Sequence, residues 1–467
     1  MKFYLCTFGC RVNQADGDAI ADALRRDGHE ETDDPALAAL VVINTCTVTH
    51  RSDHDARNRV RRLHRANPAA RIVVAGCYPE RDPAALTAIP GVAAVLGTRR
   101  AQTVARLAAQ WESGPAAGEA APPALAGDPP RAAARAGLES PGDGPDEAPL
   151  PVAVARRGHT RPFVKIQDGC AGNCAYCIVP SVRGAPRSAD PGEVVERVAE
   201  LAGQGTREII LTGIHLGLYG RDRRPPTSLA ALAGTLMRRT SIGRLRFSSI
   251  EPPEFDEDLL ALIGGEPRIA PHFHVPLQSG SERTLRRMNR TYGPGEYRRV
   301  VGRLAGCRPR AAIGADVIVG FPGETDADFL DSLDFVASLP LAYLHVFPFS
   351  PRPGTPAAAF PDPVDPRVVR DRAARFLALG KTLSRDFRRS LAGVELPALV
   401  LGRRTGKTTG ARALTENYVP VVLPGADLPL NADVRVVIET VSPAGECRAR
   451  LSGPLPAPGP GPVPDAV

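Results

Sequence analysis

The stretch Phe163 to Ile178, FVKIQDGCAGNCAYCI, sets three cysteines at Cys-x3-Cys-x2-Cys spacing directly after a strand-like apolar run. It constrains the fold most tightly, because Cys170, Cys174 and Cys177 must converge from one short loop fixed at a strand end. A 4Fe-4S cluster ordinarily takes four thiolates, so a three-cysteine loop leaves one iron open to a substrate or cofactor. Zinc is the rival occupant. Structural zinc takes four closed ligands, and only the distant His159 and His215 stand as candidates for the fourth. Iron-sulfur is the better reading.

Residues 1–111 alternate strands and helices. Strands are expected at Lys2 to Cys6, Leu40 to Asn44, Arg71 to Ala75 and Val92 to Leu96, with helices at Gly17 to Arg26, Arg51 to Ala66 and Arg99 to Trp111. This alternation implies a small parallel α/β sheet with helices on both faces. Cys10 in TFGCRVNQ, Cys46 in NTCTV and Cys77 in AGCYPE each follow one of its first three strands. The carboxyl ends of parallel strands share one edge, where ligands bind, so the three thiols are expected to meet there. For any one of them the alternative is a buried cysteine packing as a small hydrophobe, the preferred reading for Cys6 inside the first strand. Three thiols after three successive strands instead read as ligands of a second cluster, again with an open iron.

The cysteine chemistry fits the compartment that the sequence implies. MKFYLCTFGC lacks the basic, apolar and small-residue regions of a secretory signal, and no run reaches the roughly 18 apolar residues of a membrane span. A cytoplasmic, soluble chain with no membrane association is expected, in which nine cysteines serve as thiols and metal ligands rather than disulfides. A net charge of +7 permits a nucleic-acid partner without establishing one.

The aromatic Tyr176 between the second and third cysteines makes the loop resemble the cluster motif of the radical S-adenosylmethionine (SAM) superfamily. Together, TFGCRVNQ, NTCTV, AGCYPE and GCAGNCAYCIVPSVRGAPRS resemble the methylthiotransferase family of radical SAM enzymes over nearly the whole chain. The resemblance implies two 4Fe-4S clusters, on Cys10, Cys46 and Cys77 and on Cys170, Cys174 and Cys177, with SAM as cofactor and methyl donor. It further implies that the loop cluster passes one electron to SAM, releasing a 5'-deoxyadenosyl radical that abstracts hydrogen, while the other cluster carries the sulfur to be methylated and transferred. A low-potential donor such as flavodoxin or ferredoxin and a sulfur source follow as partners.

Within that family, RVNQ and LTGIHLGLYG most resemble the branch that converts N6-threonylcarbamoyladenosine 37, in the anticodon loop of tRNA, to its 2-methylthio derivative. Other branches act on N6-isopentenyladenosine 37 or on an aspartate of a small-subunit ribosomal protein. Non-enzymatic rivals are a two-cluster electron carrier and an RNA-binding scaffold with structural clusters.

Six further strand candidates, at Pro162 to Gln167, Glu208 to Thr212, Arg244 to Ser249, His272 to Pro276, Ala312 to Gly320 and Tyr343 to Phe347, suit a partial (β/α)6 barrel with function at the strands' carboxyl ends. By resemblance that edge holds SAM, with Tyr176, Thr212, Gly213, Ser249, Glu251 and Gln278 as candidate contacts and GFPGET, Gly320 to Thr325, closing the site. Asp316 lies within the fifth strand, and Glu324 also reads as a helix N-terminal charge. Arg183 and Arg187 read either as substrate contacts or as solvated arginines.

The expected domains are 1–111, a flexible Ala/Pro/Gly-rich linker at 112–158, the partial barrel with a basic helix at 159–391, a small antiparallel β-barrel at 392–453 and a disordered tail at 454–467. The β-barrel rests on strand candidates at Leu396 to Leu401, Val419 to Leu423 and Val434 to Val441, and resembles the RNA-binding TRAM domain. Stronger basic candidates are the helices at Arg51 to Arg71, Arg283 to Arg310 and Asp365 to Leu391, each equally readable as a solvated face.

Overall fold

A computed structural model describes residues 1–113, 150–155, 160–404 and 410–454. Most of the expected linker and tail lie outside the described residues. The described residues form two compact units, the first from 1–113, 150–155, 163–189 and 350–358, the second from 160–162, 190–349, 359–404 and 410–454.

In the first unit β1 (Lys2–Thr7), β2 (Glu30–Glu31), β3 (Leu40–Thr45), β4 (Arg71–Gly76) and β5 (Val92–Val95) make one parallel sheet, ordered β2-β1-β3-β4-β5. All six residues of β3 are buried, as a central strand covered on both faces requires. Along the strands, alternate side chains point to opposite faces. Phe3, Leu5 and Val42 pack with Ile20 and Leu24 of α1 (Arg11–Arg26), while Val41 and Ile43 pack with Ala56, Val60 and Leu63 of α2 (His50–Ala66). The spacing of those three α2 residues gives it an apolar stripe and leaves Arg51, Arg61, Arg62 and Arg65 exposed. Three further helices follow, α3 (Cys77–Arg81), α4 (Ala84–Thr87) and α5 (Ala101–Ser113).

The same unit contains β6 (Ala153–Ala155), within the stretch read as linker, paired antiparallel with β7 (Phe163–Lys165). Next come β8 (Gln167–Asp168), α6 (Val179–Arg183) and β9 (Arg187–Ser188), the cysteine loop lying between β8 and α6.

The second unit holds β10 (Glu208–Thr212) and β11 (Arg244–Phe247), paired parallel, and the parallel set β12 (His272–His274), β13 (Ala312–Val319) and β14 (Tyr343–Pro348). Helices alternate with these strands, and a 25-residue helix, α7 (Pro366–Ser390), leads to the C-terminal barrel. That barrel is closed by five strands, β15 (Glu395–Arg404), β16 (Gly410–Thr415), β17 (Pro420–Pro424), β18 (Asp433–Val441) and β19 (Cys447–Pro454), in the order β15-β16-β17-β19-β18.

It departs from pure antiparallel pairing at one seam, where β17 and β19 run parallel. β16 and β19 were not expected because their sequences, GARALT and CRARLSGP, carry Ala, Arg and Gly, which have weak strand preference. In β19 the alternation is nevertheless present, with Cys447 and Ala449 buried and Arg448 and Arg450 exposed. Tyr418 seats the barrel against the amino-terminal side of the central strands. Its ring stacks on His272 at 4.2 Å and lies under the guanidinium of Arg246 at 5.2 Å, so the seat is opposite the strands' carboxyl ends.

Candidate iron-sulfur and cofactor sites

The carboxyl edge of the first sheet brings Cys10, Cys46 and Cys77 together. Cys10 is the N-cap of α1, Cys46 follows β3 and Cys77 opens α3. Burial pushes the Cys77 thiol up to about 12 and also raises Cys46, and the neighbouring sulfurs, Cys46 and Cys10 for Cys77 and Cys10 for Cys46, add to the cost of ionising them. Without metal Cys46 and Cys77 are thiols, and iron would displace their protons by supplying the missing positive charge.

The backbone is shaped for this convergence. Gly9 has φ +106°, and a Cβ there would stand 2.6 Å from Cys46 Cβ. Gly76, at φ +100°, leaves room for the Asn44 side chain and the Thr45 carbonyl, each 2.5 Å from where its Cβ would be. Asn13 of the RVNQ motif is buried and donates to the Phe8 carbonyl, while Asn44 donates to the Asn13 carbonyl at 2.6 Å. The polar residues beside Cys10 and Cys46 thus tie those two loops to each other.

The second set lies on the loop before α6. Gly172 N donates to Cys170 Sγ at 3.2 Å, and a Cβ on Gly172 would meet Cys170 Sγ at 3.1 Å and Cys174 Sγ at 3.9 Å, so two thiols flank one glycine. Cys177 N closes a turn on the Cys174 carbonyl at 3.1 Å. Three thiols with a backbone N–H aimed at sulfur make a donor set that fits an iron-sulfur cluster with one open iron. Of the histidines weighed as a fourth zinc ligand, His215 lies in the second unit against the Glu254 carboxylate, and His159 lies outside the described residues. Among the described residues none of the nine cysteines forms a disulfide.

Arg183 overturns its reading as a solvated surface residue. Its side chain is 1% exposed. Nη1 meets the carboxylates of Asp168 at 3.0 Å and Asp16 at 2.9 Å, Nη2 donates to Asn13 Oδ1 at 3.1 Å, and Nε donates to Cys77 Sγ at 3.3 Å. Lys165 pairs with the same two aspartates. Burial alone would raise the pKa of Asp168, but the adjacent Arg183 and Lys165 cations outweigh it and hold the carboxyl well below the usual range. Sequence reasoning passed over Asp16, Lys165 and Asp168, although a lysine inside the strand-like FVKIQD was a visible signal.

In the second unit the SAM candidates take the following positions. Thr212 ends β10 and is buried, with Gly213 next in the chain. Ser249 Oγ hydrogen-bonds His274 Nδ1 at 2.6 Å. Glu251 caps the short helix Pro252–Glu254 and pairs with Arg290. Gln278, at φ +70°, joins the backbone of β13 through Asp316 O and Ile318 N. Tyr176 belongs to the first unit and is half-buried.

Two features differ from the sequence reading. Asp316 Oδ1 accepts from His274 Nε2 at 2.9 Å and faces His345 Nδ1 at 3.1 Å, a trio drawn from three adjacent strands that no local sequence pattern connects. Burial works to raise the Asp316 pKa, yet the two imidazoles bring it down to about 2. Glu324 is no helix-terminal charge. It is buried, accepts from Gly320 N at 2.7 Å and pairs with Arg372 at 2.8 Å, bracing the GFPGET turn.

Comparison with known proteins agrees with this division. Residues 2–97 match the uncharacterized protein family UPF0004 and residues 164–336 match the radical SAM superfamily. The chain is 35% identical to threonylcarbamoyladenosine tRNA methylthiotransferase MtaB of Bacillus subtilis, covering 92% of each chain. It is 34% identical to a tRNA-2-methylthio-N(6)-dimethylallyladenosine synthase of Parafrankia sp., covering 91% of this chain and 84% of that one. Among solved structures, the radical SAM methyltransferase TsrM of Kitasatospora setae, with cobalamin and a [4Fe-4S] cluster bound, shares the fold at TM-score 0.52 and 19% identity over 76% of each chain.

A three-cysteine loop followed along the chain by repeated strand and helix units, matched to the superfamily over 173 residues from 164 to 336, defines a radical SAM enzyme. The chain belongs to the radical SAM methylthiotransferases, on their MtaB-like side, and its cofactors are two 4Fe-4S clusters and SAM. Among the described residues no helix is long and apolar enough to cross a membrane.

Proposed function

We propose that this enzyme methylthiolates tRNA, converting N6-threonylcarbamoyladenosine 37 of the anticodon loop to its 2-methylthio derivative. The observation that carries the reaction class is two three-cysteine sets within one compact unit. The substrate rests on identities of 35% and 34% to the MtaB proteins of Bacillus subtilis and Aquifex aeolicus. A second reading, N6-isopentenyladenosine 37, draws support from several dimethylallyladenosine synthases at 34% identity.

In this reading Cys170, Cys174 and Cys177 hold the cluster that opens the reaction, Cys10, Cys46 and Cys77 hold the other, and Tyr176, Thr212, Gly213, Ser249, Glu251 and Gln278 hold SAM. When bound, these groups supply reductive cleavage of SAM, hydrogen abstraction and a methylated sulfur, chemistry that side chains alone do not provide. The protein's own part is placement. Gly9 and Gly76 allow the first three thiols to close on one another, Gly172 N donates to Cys170 Sγ, and Arg183 supplies a cation and an N–H at Cys77. The exposed arginines of α2 are the favoured phosphate contacts. A cytoplasmic setting, a flavodoxin- or ferredoxin-type donor and a sulfur source complete the proposal.

Mass spectrometry of tRNA nucleosides from cells with and without the gene tests it. The 2-methylthio derivative of threonylcarbamoyladenosine is expected to vanish without the gene. If it persists while the isopentenyl derivative vanishes, the second reading stands instead.

A further inference from the structure

We propose that Arg183 sets the reduction potential of the cluster on Cys10, Cys46 and Cys77, an inference that rests on reading those cysteines as cluster ligands. A guanidinium is planar, always charged and fixed in a fork of five donors. Here the fork is oriented from behind. Asp168 and Asp16 take Nη1, Asn13 Oδ1 takes Nη2, and the remaining direction carries Nε to Cys77 Sγ at 3.3 Å. The side chain is 1% exposed, so water does not screen this contact as it would a surface pair.

Each of the two cations pairs with both carboxylates. Lys165 and Arg183 are balanced by Asp16 and Asp168, but it is the cationic end of the group that touches sulfur. Reducing the cluster adds one electron, with no proton taken up and no bond formed or broken in the protein. An N–H donated to a ligand sulfur and a buried positive charge both favour the more negative state, and therefore raise the potential.

The residue's place in the chain gives the arrangement a further meaning. α6 begins two residues after Cys177, and its Val182, together with Ile178, packs against Cys77. The helix that closes one cysteine loop thus delivers the tuning group of the other set. Arg183 is a positioning residue, acting on the cluster through Cys77 and not on substrate.

The test uses full-length protein in a Cys170→Ala, Cys174→Ala, Cys177→Ala background, reconstituted anaerobically so that only the Cys10, Cys46 and Cys77 cluster remains. Iron and sulfide are counted first. About four irons per chain are expected, and their absence with the fold intact by circular dichroism would overturn the ligand reading itself. With the cluster loaded, an EPR-monitored potentiometric titration compares Arg183→Lys and Arg183→Gln with the parent. Arg183→Gln is expected to lower the reduced-to-oxidised ratio at a fixed potential about tenfold, a shift of about 59 mV for one electron. Arg183→Lys, keeping the charge but not the fork, is expected to fall between. A ratio for Arg183→Gln within about threefold of the parent's would overturn the proposal. If Arg183→Gln does not hold the cluster, Arg183→Lys decides: a lowered ratio supports the proposal and a ratio equal to the parent's overturns it.

Discussion

Arg352 donates to Asp53 at 2.5 Å in a buried ion pair that joins positions 299 residues apart in the sequence. Thr47, next to Cys46, donates to Asp53 at 2.6 Å and accepts from Arg352 and Arg81 at 2.9 Å each. Arg81 Nη2 completes the set at 3.0 Å from Asp53. The SPRPGTP segment, Ser350 to Pro356, therefore reaches the loop that presents Cys46 and ties it down from a distant part of the sequence.

Removing one partner of such a pair leaves an uncompensated buried charge and costs more than the pair contributes. Arg352→Met is expected to destabilise the first unit by about 3 kcal/mol, read as a lower urea midpoint by Trp111 fluorescence, since this sole tryptophan lies in that unit. An unchanged midpoint would show that Arg81 alone balances Asp53.

Gly9→Ala tests the edge directly. The new Cβ would need a left-handed backbone and would stand 2.6 Å from Cys46 Cβ, a distance that real Cβ atoms do not tolerate. Iron is expected to fall from about eight to about four per chain, with SAM cleavage retained. Full iron loading in this variant would mean that the two loops move apart without loss.

The cysteine sets are expected to separate functionally. Cys174→Ala should stop formation of 5'-deoxyadenosine under dithionite, whereas Cys46→Ala should spare some of it and abolish methylthiolation of tRNA. Equal loss of cleavage in both would argue against two distinct roles.

Acid stability of the second unit should depend on Glu208. Its carboxylate meets Arg246 at 2.8 Å, Arg244 at 3.1 Å and Arg161 at 3.3 Å. Burial acts to raise its pKa, but the three guanidinium groups dominate and take it from 4.5 to about 2. A folded pKa below the unfolded one contributes stability that is complete above the unfolded value and is lost as pH falls through the folded value. Between pH 4.5 and about 2 the loss is on the order of 3 kcal/mol. Urea denaturation of cluster-free protein across that window is expected to show it, and Glu208→Gln should be less stable at pH 6 with a flatter acid limb. Parallel acid limbs would exclude Glu208 as the source.

Much of the fold was legible because its signals are local. The apolar runs at Leu40 and Arg71 predict strands that the structure extends by a single residue, to Thr45 and Gly76. The spacing of Cys170, Cys174 and Cys177 needed no tertiary information. β2 was missed because two glutamates on a sheet edge carry no apolar pattern, and β16 because alanine and arginine make a weak strand signal.

What the sequence determined by itself is the supply of thiols, three in one loop and three after successive strands, and the alternation of elements, since residue identity and hydrophobic period are properties of the chain alone. What only the tertiary structure decided is which charges those donors meet. Arg183 looks like any surface arginine in SVRGAPRS, and Asp168 and Asp16 stand 152 positions apart. An arginine is ordinarily driven to water by the cost of desolvating its charge, and only the folded arrangement of two carboxylates, an amide oxygen and a thiol makes burial beside Cys77 favourable.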